Sequence, residues 1–231
     1  MKIVIYVYNG ITMLDAFGPY EVLRNMKDAE VTFVARKKGE IKSDSGDIIL
    51  KVKQSIKEVE EADLLLIPGS TITFVKEMKN EKVLEWIKAM DETTTWTTSV
   101  CSGSIILAAT GLLKGKEATS HWKSMDLLKE FEVQPVDERV VVQGKYVTSA
   151  GVSAGIDMAF YLVDKIAGAV ETQAIQLMLE YDPKPRYDAG RYKEANNDVL
   201  ELAENKLHEQ AKSELGLLDK LFSWKTLRKL K

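Results

Sequence analysis

Runs of β-branched and apolar residues, each closing on a turn and followed by side chains at helical spacing, constrain this chain more than any other feature. Residues 2–8, KIVIYVY, are nearly all apolar, as expected of a strand buried on both faces of a parallel sheet. Val31 to Ala35 reads as a second strand, and Asp63 to Pro68 as a third that stops at Gly69-Ser70. Thr94 to Val100 is a β-branched run that stops at Cys101. Between these runs the spacing changes to that of helices. Phe17, Tyr20, Val22, Leu23 and Met26 predict a helix over 15–27, with Pro19 in its first turn, where a missing donor costs little. Val83, Trp86, Ile87 and Met90 share one face of a helix over 80–90, and Ile105 to Leu113 reads as an apolar helix with Gly111 near its end. Further helices are expected over 121–131, 153–167 and 170–180. Short strands are expected at Val140 to Val142 and Tyr146 to Thr148, and a hairpin within 40–53 around Ser45-Gly46-Asp47. Strands alternating with helices give an α/β class: a mostly parallel sheet with helices on both faces.

Composition narrows the function classes. A chain of 231 residues that is 45% hydrophobic can bury one sizeable core. Its net charge of −3 points neither to nucleic acid nor to an acidic substrate. The single cysteine forbids an internal disulfide and excludes Cys₄ and Cys₂His₂ zinc sites, and no metal is expected. No apolar run approaches the ~18 residues of a membrane span, and the N-terminus lacks a signal-peptide core, so a cytoplasmic location is expected. After Pro183 and Pro185 the chain turns polar. We read 1–190 as the main domain and 191–231 as a charged helical extension packed on it or on a dimer partner. Within that extension Leu217, Leu218, Leu221, Phe222, Trp224, Leu227 and Leu230 form an apolar stripe flanked by lysines. A docked terminal helix is the preferred reading of the stripe, and a basic helix on an anionic membrane the competing one.

One stretch carries chemistry. A buried strand stops at Cys101, Ser102-Gly103 follow, and a helix begins, which is the layout of a nucleophile elbow. The sharp turn should place Cys101 at positive φ, at the carboxyl edge of the sheet where ligands bind in open α/β folds. The helix N-terminus should lower the thiol pKa and hold a developing anion. The competing reading is a small buried hydrophobe, the usual fate of a free cysteine. Ser102 rather than histidine follows Cys101, so a proton-handling partner must come from elsewhere in the sequence. Asp15 follows the first strand and should share that edge, within hydrogen-bond reach of the sulfur; read locally, it is a helix N-cap. His121 lies at a strand-to-helix junction, where a structural or capping role weighs at least as much as a catalytic one. Gly69-Ser70 is either a tight turn or a source of backbone N–H groups for an oxyanion.

These pieces fall in a known order. Asp15-x-x-Gly18-Pro19, Leu64–Pro68 with Gly69, and Val100-Cys101-Ser102-Gly103 come first. Ala118-Thr119-Ser120-His121-Trp122, Thr148-Ser149-Ala150-Gly151 and Glu180-Tyr181-Asp182-Pro183 follow. From residue 1 to about Gly190 the chain resembles the ThiJ/PfpI superfamily, and within it the isonitrile hydratases. The resemblance implies a flavodoxin-like sandwich similar to class I glutamine amidotransferases. It implies Cys101 as nucleophile, Asp15 as the acidic partner of the sulfur, and Ser102 where those enzymes carry threonine. Gly69, Ser70 and Ser102 become the expected backbone donors, and His121, Gly18 and Gly151 the expected pocket residues. The implied reaction is hydration of a small isonitrile to a formamide, without cofactor, in a homodimer. The alternatives are another small-molecule cysteine hydrolase or glyoxalase, and a non-catalytic ligand or redox sensor. The sensor half of AraC-type regulators has the same core but adds a DNA-binding domain of roughly 100 residues, which the segment after 190 is too short to contain.

Overall fold

The structure is a computed structural model that describes residues 1–214. Its strands are β1 (Lys2–Tyr6), β2 (Glu30–Ala35), β3 (Gly39–Lys42), β4 (Ile49–Val52), β5 (Gln54–Ser55), β6 (Leu64–Ile67), β7 (Trp96–Val100), β8 (Glu117–Ala118), β9 (Gln134–Pro135), β10 (Val140–Gln143) and β11 (Tyr146–Ser149). The helices are α1 (Met13–Leu23), α2 (Phe74–Glu77), α3 (Glu81–Thr93), α4 (Gly103–Ala109), α5 (Met125–Lys129), α6 (Ala154–Ala167), α7 (Ala169–Met178) and α8 (Asn197–Glu214). A seven-stranded sheet runs in the order β10-β11-β7-β6-β1-β2-β5. Every pairing in it is parallel except β10 with β11. The mostly parallel sheet expected from the sequence is therefore the one formed, and the hairpin expected within 40–53 is β3 paired antiparallel with β4.

Strand periodicity explains why helices cover both faces. Val4, Tyr6, Leu65 and Ile67 point into one apolar cluster with Val83 and Ile87 of α3 and Ile105 and Leu107 of α4. Their neighbours Ile3, Ile5, Leu64 and Leu66 point the other way, against Val22 and Leu23 of α1 and Met158 and Leu162 of α6. Alternate residues face opposite sides of a strand, so a run that is apolar throughout must be covered twice. Truncating one of these buried aliphatic side chains to alanine costs about 2–5 kcal/mol.

The structure departs from the sequence reading in two places that bear on the site. The first helix begins at Met13 with Thr12 as its N-cap, so Pro19 lies in its interior and not in its first turn. Asp15 is consequently inside the first turn, and its side chain is free for another use. The helix expected over 121–131 is a short 3₁₀ turn, Trp122–Ser124, followed by α5. Beyond Gly190, Tyr192 stacks on Trp122, Arg191 and Lys193 pair with Asp137, and α8 buries Ala211 in the core cluster that contains Ile105 and Leu107. The Leu217 to Leu230 stripe lies outside the described residues.

Candidate active site

Parallel strands end at one edge, and four neighbouring strands deliver the site residues there. From β11 comes the turn at Gly151-Val152, from β7 Cys101, from β6 Gly69-Ser70, and, beyond β1, from the first turn of α1 comes Asp15. Cys101 takes φ = 58°, the left-handed conformation expected of an elbow. For a residue with a Cβ this conformation costs on the order of 1–3 kcal/mol and persists only where its surroundings hold it. Here they do. The Cys101 N–H donates to the carbonyls of Ser149 and Ala150, both at 3.1 Å. The Cys101 carbonyl accepts from the hydroxyls of Ser104 and Ser120, again both at 3.1 Å. Gly103 allows the turn to sit against β6, since a Cβ there would lie 2.0 Å from the Ile67 carbonyl oxygen.

Asp15 is fully buried beside Cys101. Its Oδ2 accepts the Gly69 N–H at 3.0 Å, and its Oδ1 has no well-directed partner within the protein. The carboxyl and the thiol lie close enough to bear on each other's protons. Burial raises Asp15 from its ordinary 3.8 to about 7, against the opposing pull of the Gly69 N–H and the Cys101 thiol. The expected use of Asp15 as a helix cap is thus replaced by an acid poised near neutrality.

The thiol behaves contrary to expectation. Burial, reinforced by the Asp15 charge, pushes the Cys101 pKa well up, although the N–H groups of Ser102 and Val152 pull it down. The seven-residue α4 does not offset that desolvation, so the resting cysteine is a thiol, and attack requires a base.

The backbone donors are distributed differently from the sequence reading. The Gly69 N–H is engaged by Asp15, and the Ser70 N–H donates to Ser102 Oγ at 2.9 Å. Ser102 Oγ donates in turn to the Ser70 carbonyl at 2.8 Å, clasping the β6 and β7 turns together. The groups that reach the sulfur are the N–H of Ser102 and the N–H of Val152. Val152 is the residue that sequence reasoning missed. Its signal was faint: it stands one residue past the Thr148–Gly151 motif, in a non-glycine residue at φ = 32°.

Of the expected pocket residues, His121 is present and Gly18 is not. Gly18 lies where α1 crosses α6, and a Cβ there would come within 3.0 Å of Ile156 Cγ1. Gly151 lies under the His121 ring, where a Cβ would come within 2.9 Å of Cδ2. His121 Nδ1 accepts the Lys123 N–H at 3.3 Å, which leaves the proton of the neutral ring on Nε2. Burial, with Lys123 nearby, lowers this imidazole to about 4. His121 thus caps the 3₁₀ turn and lines the cavity. The cavity over Cys101 measures about 440 Å³ and is bounded by Ser70, Phe74, His121 and Val152, among others. Among the described residues, no cluster of His, Cys, Asp and Glu is arranged to hold a metal ion, and no helix is long and apolar enough to cross a membrane.

The chain is similar to several known proteins. The profile of the DJ-1/PfpI family matches residues 1–165. Isonitrile hydratase of Pseudomonas putida is 34% identical over 203 residues, 88% of each chain. An HTH-type transcriptional regulator of Pseudomonas aeruginosa, CdhR, is 30% identical over 132 residues, covering 52% of this chain and 38% of the regulator. A ThiJ/PfpI family protein from Pseudomonas syringae superposes with a TM-score of 0.86 at 32% identity, covering 92% of this chain and 88% of that one.

Proposed function

The chain belongs to the DJ-1/PfpI family, and on that premise we propose that it hydrates small isonitriles, R–N≡C, to N-substituted formamides through Cys101. One observation carries the reading: a buried thiol with a raised pKa faces a buried carboxyl at about 7. A thiol that stays protonated needs a base at the moment of attack, and the terminal carbon of an isonitrile needs a proton at the same moment. Asp15 can serve both needs. The thiol proton passes to Asp15 and from it to the terminal carbon as sulfur bonds to that carbon, giving the thioimidate R–N=CH–S–Cys101. Water then adds to the thioimidate carbon while the nitrogen gains a proton. The tetrahedral intermediate collapses to R–NH–CHO and expels the sulfur, which regains its proton through Asp15. The Ser102 and Val152 N–H groups stabilise negative charge on sulfur in both steps. Neither metal nor cofactor enters.

A redox-sensing role is the competing reading, and the thiol argues against it. Sensor cysteines are accessible and have low pKa values, whereas Cys101 is 5% exposed and its pKa is raised.

The test is turnover. Incubated with n-butyl isonitrile, the purified protein should release N-butylformamide, identified by its formyl proton in NMR, many times per active site. With methylglyoxal it should release no lactate. Lactate without formamide would move the assignment to a glyoxalase.

We further propose a cytoplasmic homodimer. Pairing is what the resemblance implies, and the apolar residues of the first helix do not supply its surface, since α1 buries Met13, Ala16, Val22 and Leu23 within its own chain. Support comes instead from α7, where Val170, Leu177 and Met178 are 85%, 78% and 67% exposed. Light scattering should give twice the 25.9 kDa chain mass, and Leu177→Asp should shift it toward the monomer.

A further inference from the structure

The cavity over Cys101 is walled partly by an element far from it in sequence. Glu204, Leu207, His208 and Ala211 of α8 all border it. Their spacing of three and four residues places them along one helix face. Two contacts hold that face inward. Ala211 is buried among core residues, and Glu204 pairs with Lys123 at 2.6 Å, two residues from His121. Between these anchors Leu207 is half-buried and is the large apolar side chain that α8 turns to the cavity. Lys206 and Glu209, on the opposite side, are exposed. The remaining apolar lining is Phe74 and Val152, so the part of the cavity left for a substituent is bounded by carbon from three separate elements.

We propose that Leu207 is a specificity-determining residue of the Cys101 site: the inner face of α8 limits how large an apolar group can accompany the reacting atom. For the isonitrile reading on which the substrate class rests, the favoured substrates carry a compact, uncharged, apolar R group. The wall itself depends only on where α8 lies and not on that reading. The inner face of α8 cannot withdraw without breaking the Glu204–Lys123 pair or exposing Ala211. Bulky groups are therefore excluded by a fixed surface.

The experiment alkylates Cys101, the chain's only thiol, with iodoacetamide and with the much larger N-pyrenylmaleimide in the full-length protein. Leu207→Ala should raise the pyrenylmaleimide rate about tenfold relative to iodoacetamide, and Leu207→Trp should lower that ratio by a similar factor. Lys206→Ala on the outer face should leave it unchanged. Thermal melting of each variant shows that the fold is retained, and the two Leu207 variants change the cavity in opposite directions, so one failing to fold leaves the other to decide. A ratio unchanged in a folded Leu207 variant overturns the proposal. An equal shift in Lys206→Ala also overturns it, because the effect would then be loosening of α8 as a whole. The same variants are then assayed with n-butyl and 1-adamantyl isonitrile, where kcat/KM should shift toward the larger substrate in Leu207→Ala. If the alkylation ratio shifts but no isonitrile is consumed, the wall stands and the isonitrile reading fails.

Discussion

Asp15→Asn should nearly abolish turnover and at the same time raise the melting temperature. The two effects have one cause. Asp15 is fully buried, and burial lifts its carboxyl from 3.8 to about 7. Between those pH values the folded chain holds a proton that the unfolded chain has released. Stability therefore falls as pH rises through this window, and the full penalty applies above pH 7. The difference between the two pKa values sets that penalty at no more than about 4 kcal/mol. Asparagine fills the same space, can still accept the Gly69 N–H and never ionises. Relative to the parent, Asp15→Asn should gain nothing near pH 4, gain progressively to pH 7, and level off at about 2–4 kcal/mol, or roughly 5–15 °C in Tm. Turnover should fall about 10²- to 10⁴-fold, the usual contribution of a positioned acid–base group. In the parent, kcat/KM should rise with pH up to about 7, because the carboxylate is the form that takes the thiol proton. A variant that loses activity and stability together would make Asp15 a structural residue only. Calorimetry at pH 5.5 and 8.5 alongside turnover distinguishes the two.

Cys101→Ala should remove turnover altogether, by about 10⁴-fold or more, because no second thiol exists to take its place. Cys101→Ser should be almost as inactive. A serine hydroxyl resists ionisation far more than a thiol, and the environment that already holds Cys101 protonated would suppress it further. Both variants should fold. The φ of 58° is held by hydrogen bonds from Ser104 and Ser120 and to Ser149 and Ala150 that do not involve the sulfur. Circular dichroism should match the parent, while formamide release falls below detection.

The fold and half of the site could be read from the sequence because their signals are local. KIVIYVY and DLLLIP are apolar at every position after the first, as a strand covered on both faces requires. The elbow at Cys101 is written in consecutive residues. The missing part depends on distance. Which N–H groups reach the sulfur is decided by the competition among Asp15, Ser102 and Ser70 for donors, and no spacing reports that outcome. Val152 acts through its backbone, so its side chain carries no chemical signature. The thiol pKa was misjudged for a similar reason: helix position is visible in sequence, but the depth at which Cys101 is buried is set by layers packed from the whole chain. His208 and Leu207 read as ordinary residues of a polar helix, and only folding brings α8 over a cysteine about a hundred positions earlier. β5, α2, β8 and β9 were absent from the reading because two to four residues carry no periodicity.

The central claim is that the sulfur of Cys101 bonds to substrate carbon. Intact-protein mass spectrometry on acid-quenched, steady-state samples with n-butyl isonitrile tests it directly. The account predicts a species heavier than the free chain by one isonitrile, with the added mass on the peptide that contains Cys101. Formamide released by Cys101→Ala at the parent rate, with no added mass on either protein, would contradict it.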